Sequence, residues 1–453
     1  MKGLGFLRTR LAASHQLQAV GGTTLALFAA QVMMAVAGVL AARELGPAGR
    51  GIVAAVVSWP IILAYLSLVG LNTAASIRVA SGQRDALATT LGSAVAHSVV
   101  VGGVVMLGAI VVIPPALGHL GGNAQELAVW ALAAIPTIIL ADILMSVNVA
   151  LGRLAVANCC RVIGPLLLLA GTGLLVLRHA VAPGPIVALT IASGIVSLVV
   201  GAIGLPWRRL VVSLRELFGD LRFGAKAHLG SLVGMANVRL DLVLMSVFVS
   251  ASQVGYYGVA NNVMMPVTTL GTAAAVLLTP RVAKMADREH RAGINESQFA
   301  SIRKDGRRYL VASAVGAGLL AAVAPFAVPL LFGSAFQPVV VLVWVLIPGY
   351  IARTYAGLMS AGTLGVRRTW VGNVTEGAGF AVTAALLPLL LPRYGALGAA
   401  ITSTASYCTS ALVAMFAIRR LARQIQPSSQ PIPGDHDELA ISNPATVAAG
   451  RGG

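Results

Sequence analysis

The chain has 453 residues, 57% of them hydrophobic and only 10% charged, with a formal net charge of +17. Soluble domains carry about a quarter charged residues, so this composition excludes a water-soluble fold, which could not hide so much apolar surface. Aromatic residues make up 5% and do not interleave with basic stretches, so the excess of Lys and Arg is not explained by a nucleic-acid partner.

Twelve apolar runs are long enough to cross a bilayer, which takes roughly 20 residues. In chain order they are 20–42, 51–77, 91–113, 126–150, 155–177, 184–205, 226–249, 254–279, 309–332, 338–362, 370–391 and 396–418. The first lacks a cleavage-site context and reads as a span rather than a leader. Short polar turns separate the runs, such as Leu45-Gly46-Pro47 and Pro114-Pro115. The segment from Arg281 to Arg308 is the longest polar loop, and the tail from about Gln424, rich in Pro, Ser, Asp and Gly, is expected to be disordered.

Basic residues set the orientation. One set of loops, with the two termini, holds 25 Lys and Arg; the alternate loops hold only 4, namely Arg43, Arg50, Arg178 and Arg393. The asymmetry holds loop by loop, which supports an even number of spans with both termini in the cytoplasm. Between the sixth and seventh spans, Trp207, Leu210, Val211, Leu214, Leu217, Phe218 and Leu221 recur at helical spacing, with Arg208, Arg209, Arg215, Glu216 and Arg222 on the other side. This pattern predicts an amphipathic helix on the cytoplasmic surface. It divides the chain into an N-terminal six-helix bundle (1–205), an interfacial linker (206–225), a C-terminal six-helix bundle (226–423) and a tail (424–453). Shifting the numbering by 206 superposes Gly49 on Gly255, Val53 on Val259, Ala54 on Ala260, Val57 on Val263 and Pro60 on Pro266. Six-helix halves of that kind are parallel repeats, an architecture common among transporters.

The sequence contains no catalytic triad, phosphate loop, dinucleotide fingerprint or HExxH, so it does not read as an enzyme. Cys159, Cys160 and Cys408 all lie in apolar stretches without metal-ligand spacing, and no cofactor or metal is expected. Ionisable groups inside the spans carry the functional signal, because each costs at least about 2.5 kcal/mol at the bilayer centre without a cavity or partner. They are His97, Asp142, Arg239, Asp241, Arg353 and Glu376, joined by Asn72, Asn148, Asn237, Asn261 and Asn262. His97 and Glu376 sit near the cytoplasmic ends of their spans, within reach of water. Arg239 and Asp241 are two residues apart and point to different helix faces. Asp142 and Arg353 follow Pro136 and Pro348 at nearly equivalent places in the two halves. Each reads either as a path residue or as a structural ion-pair partner.

Three stretches resemble bacterial polysaccharide flippases of the multidrug/oligosaccharidyl-lipid/polysaccharide exporter superfamily: AARELGPAGRGIVAA (Ala41 to Ala55), VGLNTAASIRVASG (Val69 to Gly82) and VRLDLVLMSVFVSASQVGYYGVANNV (Val238 to Val263). The resemblance implies an all-α membrane protein with about 12 transmembrane helices in two pseudo-symmetric six-helix bundles, V-shaped around a central cavity with alternating access. It implies a polyprenyl-diphosphate-linked oligosaccharide as cargo, for surface polysaccharide biosynthesis, with membrane lipids and a glycan polymerase or glycosyltransferases as partners. Arg43 falls on the family's basic turn, Arg239 and Asp241 on its RLD positions, and Gly255 and Tyr256 on its VGxY turn. The path set is then Arg43, Asp142, Asn237, Arg239, Asp241, Arg353 and Glu376. Lipid II flippases, a sister branch, carry several arginines in the first helix, where Val20 to Ala42 has none. Multidrug antiporters of the same fold place acidic cation-site residues in the first or seventh helix. Asp241 keeps a cation-coupled small-molecule exporter as the alternative. A glycan polymerase or ligase would need a larger extracytoplasmic loop than this chain has.

Overall fold

A backbone in hydrocarbon must satisfy its own hydrogen bonds, which long helices do within one segment. The computed structural model describes the backbone of residues 2–82, 85–288, 296–365 and 370–422. Side chains are described from Gly21 onward, except within 83–84, 226–231, 269–274, 276–303, 305 and 364–369, and up to Leu421. The expected tail from Gln424 lies outside the described residues.

The helices are α1 (Lys2–Leu68), α2 (Leu71–Ala80), α3 (Ala86–Ala116), α4 (Ala124–Leu132), α5 (Ile135–Ala150), α6 (Leu154–Leu177) and α7 (Pro183–Ala202). They continue with α8 (Leu214–Phe248), α9 (Ala251–Arg288), α10 (Glu296–Phe332), α11 (Val339–Gly365), α12 (Trp370–Tyr394) and α13 (Ala396–Ala422). Eight segments among the described residues cross a membrane by length and apolarity, and the bent pair α4–α5 makes a ninth. One of the eight, Gly21–Leu68, has 48 residues and would run about 72 Å if straight. It breaks at Gly46, whose φ of 65° only glycine adopts freely, and so supplies two spans. The long helices α8 and α9 carry the two remaining spans, giving the two six-helix bundles.

Matching prolines act differently in the two halves. Pro136 opens α5, and α4 and α5 meet at a bend of 40°. Pro348 lies inside an uninterrupted α11. The N-terminal half therefore carries a broken span where the C-terminal half has a continuous one.

Three expectations are corrected. The segment from Trp207 to Arg222 is not one helix: Trp207–Arg209 form a single 3-10 turn, the chain runs non-helically to Ser213, and α8 begins at Leu214. The Val211 amide donates to the Ala88 carbonyl at 3.3 Å, and Trp207 Nε1 to the Ala202 carbonyl at 2.8 Å. The long-range Val211–Ala88 bond and the local Trp207–Ala202 bond override the amphipathic period. Ser213 then caps α8 by accepting the Glu216 amide. Second, most of the loop expected from Arg281 to Arg308 is helical, since α9 runs to Arg288 and α10 starts at Glu296. Third, His97 does not reach water: it is 2% exposed, and its Nε2 sits 2.8 Å from the Ser67 carbonyl.

The halves meet along two kinds of contact. Near the Arg-poor face, α1 and α9 cross backbone to backbone. A Cβ on Gly51 would lie 1.7 Å from the Ala251 carbonyl oxygen, and one on Gly255 would lie 2.0 Å from that of Pro47. His119 Nε2 reaches the Val249 carbonyl there at 3.2 Å, and Arg43 donates to the Leu330 carbonyl at 3.3 Å. Deeper in, side chains bridge the seam: Trp59 Nε1 donates to Ser246 Oγ, and Gln31 Nε2 to Met265 Sδ, each at 3.0 Å.

On the Arg-rich face, Arg78 of α2 grips the start of α8, with Nη1 2.5 Å from Glu216 and Nη2 2.6 Å from Asp220. Beside this pair, Gly224 packs on the Val69 and Gly70 carbonyls, where a Cβ would lie 2.7 Å from them. The Asp220 side chain is 12% exposed and that of Glu216 40%. Arg78→Ala strands the Asp220 carboxylate and is expected to cost about 1–3 kcal/mol, whereas Glu216→Ala costs less than about 1 kcal/mol because Arg78 keeps Asp220 and water replaces the exposed carboxylate. Thermal unfolding of the two variants in one detergent checks the ranking; equal losses would contradict it.

Candidate functional site

The interior of the C-terminal bundle is polar at one level. Asn237 and Asp241 stand one turn apart on α8, each 2% exposed. Asp241 Oδ2 accepts hydrogen bonds from the Tyr257 hydroxyl of α9 and, at 3.2 Å, from Ser403 Oγ of α13; its Oδ1 takes the Leu242 amide at 2.7 Å. Asn237 Oδ1 accepts from Thr383 Oγ1 of α12 at 2.7 Å and from Ser406 Oγ of α13 at 3.0 Å. Four helices are thus tied at one carboxylate and one amide. Their closeness depends on Gly379, where a Cβ would lie 2.2 Å from Ser410 Oγ and 3.0 Å from Asn237 Nδ2.

Cations border this cluster. Arg353 of α11 places its guanidinium carbon 4.9 Å from the centre of the Tyr407 ring, a cation–π contact. Tyr350 meets Tyr407 edge to face at 5.7 Å and donates to Asn261 Oδ1 at 2.8 Å. Arg239 Nε and Asn237 Nδ2 are buried with no hydrogen-bond partner among the described residues. Glu376 of α12 faces α8 at Gly234, where a Cβ would lie 3.2 Å from its carboxyl group.

Of the seven expected path residues, five therefore share the C-terminal bundle: Asn237, Arg239, Asp241, Arg353 and Glu376. The other two lie elsewhere. Asp142 is on α5 and accepts from Asn72 Nδ2 of α2 at 2.7 Å. It lines a cavity of about 360 Å³ inside the N-terminal bundle, whose walls include Pro60, Ile138, Met145, Cys160 and Ser197. Asp142 and Arg353, matched by sequence position, thus serve different surroundings. Arg43 is exposed at the Arg-poor turn.

Sequence reasoning missed Tyr257, Ser403, Thr383 and Ser406, whose residue types are ordinary in apolar helices. It also placed Arg50 in a turn. Arg50 lies within α1, and its Nε is buried without a partner. Its position four residues after the Gly46 break is the signal that could have moved it into the membrane.

Paired six-helix bundles of apolar helices, with a polar cluster inside the second, define a multi-pass membrane protein. The chain belongs to the polysaccharide biosynthesis protein family, whose model matches residues 39–341. Its fold is similar to that of the lipid II flippase MurJ in an inward closed conformation, with a TM-score of 0.72 at 12% identity over 88% of this chain and 87% of that one. It is also similar to an inward-facing multidrug resistance MATE transporter, with a TM-score of 0.68 at 15% identity over 87% of this chain and 96% of that one. A Vibrio cholerae MATE transporter matches with a TM-score of 0.56 at 16% identity over 90% of this chain and 98% of that one. No curated protein matches the chain.

Proposed function

We propose that the protein flips a polyprenyl-diphosphate-linked oligosaccharide across the bacterial cytoplasmic membrane by alternating access, with both termini in the cytoplasm, as a transporter and not an enzyme. The observation that carries this reading is the match of residues 39–341 to the polysaccharide biosynthesis family in a chain with the fold of a lipid flippase. The chemistry agrees. Each sugar hydroxyl loses about 4–8 kcal/mol on entering hydrocarbon unpaired, so a glycan head needs a polar route while its tail stays in lipid. Arg239 and Arg353 offer a diphosphate forked, charge-assisted hydrogen bonds.

The test is translocation in proteoliposomes carrying a polyprenyl-diphosphate oligosaccharide, read as sugar exposure to an added glycosidase. Wild type is expected to flip, and Arg239→Ala to slow flipping about tenfold or more, the worth of one charged hydrogen bond. Unchanged flipping in Arg239→Ala would return that residue to a structural role. No flipping of host glycans by wild type, with or without a membrane potential, would remove the reading.

The cavity beside Asp142 favours a second reading, export of lipophilic cations, since it joins apolar walls to one carboxyl group. Binding of a fluorescent lipophilic cation that Asp142→Asn abolishes, in a wild type that flips no glycan, would put this reading first.

A further inference from the structure

Arg50 stands where the two halves meet. It follows the Gly46 break by four residues and directly precedes Gly51, which makes the backbone crossing with α9. Its guanidinium turns toward Gly38 on the first part of α1 and toward Asn262 of α9. A Cβ on Gly38 would lie 4.0 Å from both Arg50 Nη2 and Asn262 Nδ2. Asn262 is two turns beyond Gly255, about 10 Å along α9, so the pair lies beneath the crossing on the side of the Arg-rich face.

Among the described residues, no acid pairs with this arginine: the ion pairs are those of Arg78 with Glu216 and Asp220. Arg50 Nε is buried without a partner. Glu44, the nearest acid along the chain, is exposed in the turn. Arg50 is half-buried, with its Nε enclosed; a cation at this depth without a counter-charge is costly, and the cost is recovered when an anion docks on its outer nitrogens. Two nitrogen donors converge on the space that Gly38 leaves open, and an arginine fork with an amide matches phosphate oxygens at about 2.9 Å.

We propose that Arg50 and Asn262, facing Gly38, form an anion site that holds the diphosphate of the cargo just beneath the closed crossing. This rests on the flippase reading for the identity of the anion. The site binds the chemistry common to every lipid-linked glycan of this type, the phosphate and not the sugars. It therefore fixes the depth of the head group and leaves glycan choice to other residues.

Binding to the full chain in nanodiscs of zwitterionic lipid tests the proposal, with polyprenyl diphosphate and the uncharged polyprenol as probes. Wild type is expected to prefer the diphosphate about tenfold or more. Arg50→Gln abolishes that preference, Arg50→Lys keeps part of it, and Arg393→Gln at the exposed end of α12 keeps all of it. Should Arg50→Gln not fold, Gly38→Cys reports instead, since its Cβ meets nothing closer than 4.0 Å: the diphosphate, and not the polyprenol, slows alkylation of that thiol. Full preference in Arg50→Gln, or no protection of Cys at 38, overturns the site. Displacement of the diphosphate by equimolar phosphatidylglycerol also overturns it, as a site for bulk phospholipid. Diphosphate binding that needs Arg50, in a protein that flips no glycan, keeps the site and removes the flippase reading alone.

Discussion

Gly255→Val is expected to abolish translocation and to lower stability by about 3 kcal/mol, at the upper end for overpacking. The atom that the new side chain meets is the Pro47 carbonyl oxygen, 2.0 Å from an ideal Cβ. A flexible side chain could swing aside, but a helix backbone cannot, so α1 and α9 must part. Gly258→Val, one turn on, is the graded comparison: a Cβ there sits 3.7 Å from the Ala54 methyl group, and the loss is about 1 kcal/mol. Gly103→Val has open space around it and leaves both readouts near wild type. Thermal unfolding and glycosidase-detected flipping on the three variants check the order. A Gly255→Val protein that flips at the wild-type rate would show that the crossing need not close.

The second large effect is at Asp241. Asp241→Ala takes away the acceptor of Tyr257 and Ser403 together. Tyr257 and Ser403 still meet each other at 2.9 Å, so one of the two hydroxyls is left without an acceptor in the interior, and a loss of about 1–3 kcal/mol is expected, with no transport. Asp241→Asn keeps an acceptor oxygen in the same place and is expected to hold stability to within about 1 kcal/mol while removing the charge. Transport by Asp241→Asn separates the two roles. A rate reduced about tenfold or more, as expected for loss of one charge-assisted contact, gives the carboxylate a part in the cycle; a wild-type rate leaves it as the pin of α8, α9 and α13.

Much of the fold is legible in the amino-acid sequence because span length and basic asymmetry act locally and are repeated many times along the chain. What failed to show has a common cause, which is that it depends on partners distant in the chain. The residues from Trp207 to Arg222 have a helical period, yet Val211 pairs with Ala88 and only the portion from Leu214 becomes helical. Pro136 and Pro348 match in position, but only one stands at a break. At the site, Arg239, Asp241 and Asn237 stand out as polar residues deep in α8, so a polar cluster around this stretch was readable. The hydroxyls that complete the cluster were not, because a serine or threonine in an apolar helix most often bonds its own backbone, as Thr402 does to Gly398. Arg50 was hidden by the glycine and proline before it, which mark a turn but not how deep the next helix turn is carried.

The Gly51–Gly255 crossing also has an electrical consequence. On the flippase reading, the groove beneath it fills with water when the cargo enters, and water carries little field. Most of the membrane potential then falls across the thin glycine contact instead of the full bilayer. A charge moved past that contact gains nearly the whole of about 2.3 kcal/mol per 100 mV over a few ångströms. Contact between bare backbones leaves no room for a file of water molecules, so the resting protein insulates the membrane even though its cargo is large. A diphosphate parked at Arg50 would wait at the edge of that field, with the voltage-sensitive part of its journey compressed into the opening of a single contact.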